Sequence, residues 1–196
     1  MCRRLFDIML SLLALAILLP AFLAISLVIS LSSPGGVFYR QKRVGKHNKD
    51  FSLLKFRTMK RDSDKKGLLT IGRQDPRVTA TGRWLRKHKL DELPQLINIL
   101  AGDMSFVGPR PEVRKYVEMY TGEQKEVLTV RPGLTDLASI QYINENELLA
   151  ESKDPEKTYI EKIMPDKLKL NLEYIRNRNA LTDLRIILIT LGKILR

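Results

Sequence analysis

The longest pattern in the chain is a run of apolar residues near its start. Residues 8–31 carry no charged side chain, and about 20 such residues form a helix long enough to cross the hydrocarbon core of a bilayer. The run exceeds the ~7–15 residues of a signal-peptide core, so we expect a retained membrane segment. Basic residues flank both ends of it, namely Arg3, Arg4, Arg40, Lys42, Arg43 and Lys46.

Two arrangements of this segment remain open. Pro20 removes a backbone hydrogen bond and bends a helix, while the positive-inside rule gives no direction when both flanks are basic. The chain could break at Leu19-Pro20 and return to the same side, or cross the bilayer as a kinked span. We expect the re-entrant arrangement, with residues 1–36 as membrane helix and turn and residues 37–196 as a cytoplasmic domain.

The pattern after residue 36 predicts a β-hairpin followed by two short helices. Residues 37–39 and 51–56 have the composition of strands, and glycine and polar residues separate them. Residues 60–82 are polar and interrupted by Gly67, Gly72 and Pro76, which predicts a mobile loop. Helices are expected over 83–89 and 94–101. The buried stripe of the second would be Leu93, Leu96, Ile97 and Leu100.

The second half of the chain predicts loops and then helices. Residues 102–111 and 130–135 are rich in proline and glycine, which predicts rigid loops. Residues 112–128 are expected to be helical, residues 144–167 mostly loop, and the chain from 168 onward a long helical stretch. Its apolar stripe predicts either a basic amphipathic helix on a membrane surface or a helix packed into the core. The stripe consists of Leu184, Ile187, Leu188, Leu191, Ile194 and Leu195.

Charge and cysteine usage narrow the function classes. The 196 residues include 34 Lys and Arg against 22 Asp and Glu, a net charge of +12, so we expect an anionic partner: nucleic acid, anionic lipid or a phosphorylated substrate. The single cysteine, Cys2, excludes an internal disulfide, and His47 and His88 form no zinc spacing with it. Neither a P-loop nor a Rossmann fingerprint occurs in the sequence.

Two adjacent carboxylates, Asp91 and Glu92, are the strongest candidates for chemistry. They precede Pro94 at the expected start of a helix, where acidic groups suit the positive end, so a simple helix cap is one interpretation. The other interpretation is a phosphate site, because many cations lie near the pair in the sequence. These cations are Arg83, Arg86, Lys87, His88, Lys89, Arg110 and Arg131.

Four cations are further candidates for phosphate contacts. Lys55 and Arg57 lie two residues apart on a predicted strand and share a face that could grip a diphosphate, although a charged strand edge explains them equally well. Arg110 and Arg131 lie in the two rigid loops, where a fixed backbone lets an arginine bind phosphate with little loss of freedom. Ordinary turns with surface arginines are the alternative for both.

These motifs, taken in order after an apolar N-terminus, give the chain a resemblance to the bacterial sugar transferases, also called monotopic phosphoglycosyl transferases. The resemblance covers nearly the whole chain and corresponds to the minimal catalytic form. It rests on residues 55–59 (KFRTM), 75–77 (DPR), 91–96 (DELPQL), 102–111 (GDMSFVGPRP) and 131–133 (RPG).

The resemblance implies an enzyme of the inner membrane, at its cytoplasmic face. Members of the family transfer a sugar 1-phosphate from a UDP-sugar to a polyprenyl phosphate such as undecaprenyl phosphate, the first membrane step of glycan assembly, and they require Mg²⁺. By resemblance Asp91 is the catalytic nucleophile that forms a phosphosugar-aspartyl intermediate, and Glu92 is its partner. Either carboxylate could bind the metal. Lys55, Arg57, Arg86, Arg110 and Arg131 are assigned to substrate phosphates.

The implied partners are the UDP-sugar, polyprenyl phosphate and inner-membrane lipids, and nucleic acid is not among them. A homodimer is possible. The chain departs from the family pattern at two places: Leu19-Pro20 replaces the common Ser-Pro, and residues 136–139 (DLAS) replace a Gly-Trp-Ala-Gln pattern. The second departure leaves the contacts to donor sugar and base unassigned.

The alternative function is a membrane-tethered basic module that binds nucleic acid or anionic lipid without catalysis. The fold class predicted from the sequence is α+β, mostly helical, comprising the re-entrant membrane helix, a small β-hairpin, cytoplasmic catalytic helices and a C-terminal amphipathic interface helix.

Overall fold

A computed structural model describes residues 2–32, 34–60, 63, 72 and 75–194. Within these residues the fold is mostly helical, with two small sheets, which confirms the predicted class. The mobile loop predicted over 60–82 lies largely outside the described residues. The helices are α1 Cys2–Ser32, α2 Ala80–Lys87, α3 Gln95–Ala101, α4 Arg114–Val117, α5 Leu137–Gln141, α6 Glu145–Ala150, α7 Pro155–Thr158, α8 Met164–Asn177 and α9 Ala180–Ile194; the strands are β1 Phe38–Val44, β2 Asp50–Phe56, β3 Ser105–Val107 and β4 Gly133–Thr135.

Helix α1 lies along the rest of the protein over its whole length. Near its start Arg4 donates a hydrogen bond to the carbonyl of Leu100 (2.7 Å), and the Asp7 carboxylate accepts one from the Ser105 hydroxyl (2.8 Å). In its middle Leu15 and Leu18 pack against the hydrophobic core. The contacts recur every three or four residues, which is the spacing of one helix face.

The predicted break at Leu19-Pro20 is not found. Helix α1 continues through Pro20, and Leu18 and Phe22, on either side of the proline, both pack on the domain. Both sides of Pro20 therefore lie against the domain, and the re-entrant arrangement in the membrane stays a prediction. The opposite face of α1 is exposed and apolar. By length and composition α1 is long and apolar enough to cross a membrane.

The predicted hairpin is confirmed and is longer than expected. Strands β1 and β2 pair antiparallel, with Phe38 opposite Phe56 and Val44 opposite Asp50. The side chain of Phe56 is buried against Phe22 and Leu85, so the hairpin connects α1 to α2.

Helix α3 buries Leu96 of the predicted stripe but leaves Ile97 exposed. Gln95, Leu96, Asn98 and Ile99 are buried, whereas Ile97 is 38% exposed. The reason is that Asn98 accepts a hydrogen bond from the Leu54 N–H (2.9 Å) and so fastens α3 to the backbone of β2. Asn98 supplies to the edge of β2 the hydrogen bond that a neighbouring strand would otherwise provide, so this polar residue is buried. A pattern of apolar residues cannot predict such a position.

Strands β3 and β4 were predicted to be loops and instead pair in parallel, Ser105 opposite Gly133 and Val107 opposite Thr135. Gly108 and Gly133 allow the two segments to approach, because a Cβ on Gly133 would overlap the backbone of Gly108. This pairing brings the segments of Arg110 and Arg131 side by side.

The helical predictions for the second half need three corrections. Residues 112–128 form only α4 and a 3-10 turn over Gln124–Thr129, and residues 144–167 are mostly helical rather than loop. The long C-terminal pattern is divided into α8 and α9 at residues 178–179. Together with the hairpin end, these elements enclose the largest buried cluster, which consists of Val44, Val113, Tyr116, Val117, Tyr120, Val127, Leu149, Tyr159, Ile163, Met164, Leu168 and Leu172.

Helix α9 leaves three of the four described residues of its predicted apolar stripe exposed, whereas Ile187 packs against the core. The side chains of Ile194 and Leu195 lie outside the described residues. Its buried residue is Ile186, which packs with Val107 and Tyr174, whereas Leu184, Leu188 and Leu191 are each at least half exposed. Core packing therefore does not explain those three leucines.

Candidate active site

Asp91 and Glu92 lie in a 3-10 turn, Leu90–Glu92, that precedes α3. Lys89 enters the turn with a left-handed backbone (φ +55°). The interpretation as a helix cap is wrong, because the residue that precedes α3 is Pro94 and no side chain caps the helix. Leu90 and Leu93, which flank the pair, pack against side chains of α1. The turn of the carboxylates is therefore fixed to a buried cluster that α1 shares with β2 and α2.

Glu92 is gripped by two cations. Its Oε1 lies 3.0 Å from Lys55 Nζ, and its Oε2 accepts a hydrogen bond from Arg110 Nη1 (3.2 Å). A second bond, from Arg110 Nη2 to Oε1, makes the arginine contact two-pronged. Burial raises the pKa of Glu92, but the charges of Arg110 and Lys55 outweigh it and hold this pKa well below its usual range. Glu92 is therefore ionised and immobile.

Asp91 has the opposite environment. Its side chain is buried, with the residue only 6% exposed, and among the residues that the structure describes none donates a hydrogen bond to it. Burial and the neighbouring Glu92 raise the pKa of Asp91, while Lys55, Arg86 and Lys89 partly offset this rise. Asp91 also borders a cavity, and a carboxylate with a perturbed pKa at a cavity is expected where the carboxylate has a chemical task.

The cations around Asp91 are placed by different elements. Burial lowers the pKa of Lys55, which extends from β2, and Glu92 partly opposes this. Arg86, on α2, is oriented by a hydrogen bond from its Nε to the Thr58 hydroxyl (2.9 Å). Arg110 follows β3, and its backbone N–H donates to the Asp136 carboxylate (2.8 Å). Asp136 also caps α5, so one buried aspartate fixes both the arginine loop and the next helix.

These side chains line a cavity of about 310 Å³, a volume typical of small-molecule sites. Asp91, Glu92, Lys55, Arg86 and Arg110 all border it.

Arg57 and Arg131, by contrast, do not border the cavity. Arg57 donates a hydrogen bond to the carbonyl of Pro34 (3.0 Å), and Arg131 donates one to the carbonyl of Gly102 (2.8 Å). The structure thus brings three of the five predicted phosphate-binding cations together with the carboxylates and places the other two at turns.

Three residues that belong to this site were not among the site residues predicted from the sequence. Arg43 and Lys89 line the cavity, and Asp136 positions Arg110. Arg43 comes from β1 and was counted only among the flanking charges. The alternation of β1 could have suggested Arg43, because it pairs with Phe51 on the strand that carries Lys55.

A metal would find few protein ligands here. Among the residues that the structure describes, no group of three or more His, Cys, Asp or Glu could hold an ion. Asp91 offers carboxylate oxygens that no described residue engages, whereas both oxygens of Glu92 already accept from cations. Mg²⁺ is commonly bound by one or two carboxylates together with substrate phosphates, and the site fits that mode.

Three relatives show what the chain is similar to. A putative undecaprenyl-phosphate N-acetylgalactosaminyl 1-phosphate transferase of Bacillus subtilis (strain 168) is 47% identical over 121 residues, 62% of this chain and 68% of the relative. A UDP-N-acetylgalactosamine-undecaprenyl-phosphate N-acetylgalactosaminephosphotransferase of Aeromonas hydrophila is 36% identical, over 98% of this chain and 43% of the relative. The UDP-glucose:undecaprenyl-phosphate glucose-1-phosphate transferase of Escherichia coli (strain K12) is 38% identical, over 97% of this chain and 39% of the relative.

The chain therefore spans about two fifths of the length of the last two relatives. The family model described as "Bacterial sugar transferase" matches residues 1–196. Since that model covers the whole chain, and the carboxylate pair, the cations and the apolar helix of the resemblance are all present, this chain belongs to the bacterial sugar transferase family.

Proposed function

We propose that this protein transfers a sugar 1-phosphate from a UDP-sugar to undecaprenyl phosphate, a membrane polyprenyl phosphate, as the first membrane step of glycan or polysaccharide biosynthesis. The names of the relatives support the reaction class. The observation that carries the proposal is the contrast within the pair: Asp91 accepts no hydrogen bond from the described residues, while the adjacent Glu92 is held by Lys55 and Arg110.

The chemistry follows from that contrast. An Asp91 oxygen attacks the β-phosphorus of the donor, the bond from that phosphorus to the bridging oxygen breaks, and UMP leaves with the electron pair. The acceptor phosphate then attacks the same phosphorus and breaks the bond to Asp91. The products are a polyprenyl diphosphate sugar and the free carboxylate. Glu92 would not attack, because both of its oxygens are engaged by cations.

The cations serve the charged groups of both substrates. Arg86, Lys89 and Arg43 border the cavity around Asp91 and would bind the donor diphosphate and then the acceptor phosphate. Glu92 acts as a positioning residue that fixes Lys55 and Arg110. Without it these two cations would repel each other and separate.

Mg²⁺ is part of this proposal. Asp91 is the carboxylate whose oxygens are open to it, and donor phosphates would complete its coordination. Glu92, the other ligand predicted from the sequence, is already engaged by Lys55 and Arg110. The bound ion would neutralise negative charge on the diphosphate, which otherwise repels an incoming carboxylate. Burial and the charge of Glu92 raise the pKa of Asp91, and a cation bound beside Asp91 would favour the ionised carboxylate, which is the nucleophilic form.

We further propose that α1 attaches the protein to the cytoplasmic face of the inner membrane without crossing it. A helix of 31 residues is about 46 Å long, and domain contacts occur from Arg4 to Ile29 along it. If α1 crossed a core of about 30 Å, the domain segments packed along α1 between Leu15 and Ile29 would have to lie in hydrocarbon together with their polar backbone. With α1 lying in one leaflet, its exposed apolar face and the leucines of α9 contact lipid.

The reaction is tested in two steps. Purified protein is first incubated with a panel of UDP-sugars, polyprenyl phosphate and Mg²⁺, and release of UMP is measured; release from no donor would favour a module that only binds anions. A sugar-labelled donor is then incubated without acceptor and the protein is analysed by intact and peptide mass spectrometry. A phosphosugar on Asp91 is expected, whereas ternary-complex kinetics without an adduct under rapid quench would show direct transfer.

The membrane arrangement is tested with cysteine labelling. The native Cys2 reports on the N-terminus, and a Cys2→Ser, Gly122→Cys variant reports on the domain, since nothing lies within 4 Å of a Cβ at Gly122. In intact cells an impermeant maleimide should label neither site, and in inverted membrane vesicles it should label both. Labelling of Cys2 only from the outside would show that α1 crosses.

A further inference from the structure

Part of the wall of the cavity beside Asp91 is formed by α5, α6 and α8. Asn171, on α8, lines this part of the cavity together with Ser139 on α5. Their neighbours in the lining include Leu149, Met164 and Leu168, which are apolar. The cavity therefore has a cationic end, suited to phosphates, and an end formed by α5, α6 and α8, where the charged lining residues Glu145 and Lys167 neutralise each other in an ion pair (2.6 Å). We call this second part the neutral end.

Asn171 is unusual among the buried polar residues. It is only 4% exposed, yet its Oδ1 has no hydrogen-bond partner, and no described residue accepts from its amide nitrogen. The hydroxyl of Ser139 is likewise buried without a partner. Buried side-chain amides in proteins almost always have partners, so each exception needs an explanation.

Asn98 shows what a structural buried asparagine looks like in this chain. Its Oδ1 accepts from the Leu54 N–H (2.9 Å) and its Nδ2 donates to the Ser52 carbonyl (2.8 Å). Asn98 thus joins α3 to β2. Asn171 joins nothing in the described protein, and it faces a cavity instead of a neighbouring strand. Its Oδ1 therefore has an unused hydrogen-bonding capacity in the wall of the cavity.

An asparagine presents an acceptor and a donor side by side, and this edge is complementary to another amide edge. A UDP-sugar offers such an edge in two places. One is the imide of the uracil ring, and the other is the acetamido group present on some sugars. The hydroxyl groups of a sugar do not present a donor and an acceptor side by side as an amide edge does, so they match the asparagine amide less well.

We propose that Asn171, assisted by Ser139, is a specificity residue that binds an amide edge of the nucleotide-sugar donor at the neutral end of the cavity. The inference rests on the proposed function, since it requires the diphosphate to lie at the cationic end. Ser139 belongs to residues 136–139, where the chain departs from the family pattern. That departure thus lies in the wall of the site.

The test uses Asn171→Leu in the full chain, with Ser139→Ala as a milder second variant and Asn98→Leu as the structural comparison. kcat/KM is measured for UDP-N-acetylgalactosamine, UDP-N-acetylglucosamine, UDP-galactose and UDP-glucose. Each acetamido donor is thereby matched with a hydroxyl donor. The apparent Tm in detergent is measured for every variant, without ligand and with UDP.

Asn171→Leu should lower kcat/KM about tenfold, equivalent to about 1.4 kcal/mol, and Ser139→Ala about threefold. If uracil is bound, every donor loses the same factor and the stabilisation of the protein by UDP disappears. If the acetamido group is bound, only the two acetamido donors lose activity and the UDP effect remains. Either pattern supports the proposal.

The proposal is overturned if Asn171→Leu keeps kcat/KM within twofold for every donor that the wild type uses. It is also overturned if that variant loses Tm as Asn98→Leu does or fails to fold, because a structural role would then explain the residue. A ligand role predicts an unchanged or raised Tm, since an unpaired buried amide is replaced by an apolar group of similar size. Absence of turnover by the wild type with all donors would count against the proposed function, and the Tm shifts with UDP would still test Asn171.

Discussion

Replacing Glu92 with glutamine should destabilise the protein, whereas replacing Asp91 with asparagine should not, and this difference would distinguish the roles of the two carboxylates. Glutamine keeps the shape of the side chain but removes the charge that Lys55 and Arg110 share. The two cations would then face each other with no anion between them. Because Glu92 is only 13% exposed, water could not replace the lost charge fully.

The size of the effect follows from burial. Removing one partner of a buried ion pair costs about 3–5 kcal/mol, but the Arg110 and Lys55 side chains are 32% and 19% exposed, so solvent screening lowers the expected loss to about 2–3 kcal/mol. At about 2–4 °C for each kcal/mol in a chain of this size, the apparent Tm should fall by roughly 4–12 °C.

Asp91→Asn should behave differently although the residue is adjacent. Because the pKa of Asp91 is raised in the folded protein, its contribution to stability is present at low pH and is lost as the pH rises through the folded pKa. The amide should therefore leave the Tm at neutral pH unchanged or raise it. For Glu92 the pKa is lowered, so its contribution is present above the ordinary glutamate pKa and is lost as the pH falls through the folded value.

The assay is thermal unfolding of wild type, Glu92→Gln and Asp91→Asn in one detergent, from pH 4 to pH 8. Both variants should lack turnover, so activity alone cannot distinguish them. Equal losses of Tm, or a stable Glu92→Gln together with an unstable Asp91→Asn, would refute the assigned environments of the two carboxylates.

Four further outcomes are expected. Asp91→Asn should lower turnover by about 10³-fold or more and abolish the phosphosugar adduct, because an amide is a poor nucleophile; an adduct retained by this variant would place the nucleophile elsewhere. Exhaustive chelation should abolish UMP release, and added Mg²⁺ should restore it; full turnover in chelator contradicts the metal proposal. Gly133→Ala should be destabilised by about 2–3 kcal/mol because its Cβ meets the Gly108 backbone, whereas Gly122→Ala should fold normally, and equal Tm values would argue against the β3–β4 pairing. Asp7→Ala should lower the apparent Tm by roughly 3–10 °C, since it leaves the Ser105 hydroxyl and a backbone N–H without their acceptor; an effect no larger than that of Leu5→Ala, on the exposed face, would show that α1 is not docked in this way.

Local patterns in the sequence were sufficient to predict the elements whose conformation depends on residues a few positions apart. An uncharged run forms α1, an alternation broken by glycine forms the hairpin, and Gly102 ends α3 with a left-handed backbone (φ +98°). The carboxylate pair could also be selected beforehand, because Asp91 and Glu92 lie among many cations in the sequence. Each of these features depends on residues a few positions apart, where backbone preferences and charge decide.

The composition of the site was decided by contacts between distant segments. Arg110 and Arg131 lie in similar Pro-rich contexts, yet Arg110 reaches Glu92 and Arg131 binds the Gly102 carbonyl. The parallel pairing of β3 with β4 and the hydrogen bond from the Arg110 N–H to Asp136 together set the direction of each arginine. Sequence spacing carries no information on such pairings.

The same distinction separates Asp91 from Glu92 and Asn171 from Asn98. The sequence identified two acids side by side, but only the fold shows that Lys55 and Arg110 close on one of them and leave the other without a donor. It likewise shows that one buried asparagine joins α3 to β2 while another faces a cavity. Residue type fixes what a side chain is able to bind, whereas the groups that surround it after folding determine whether that capacity is already used within the protein.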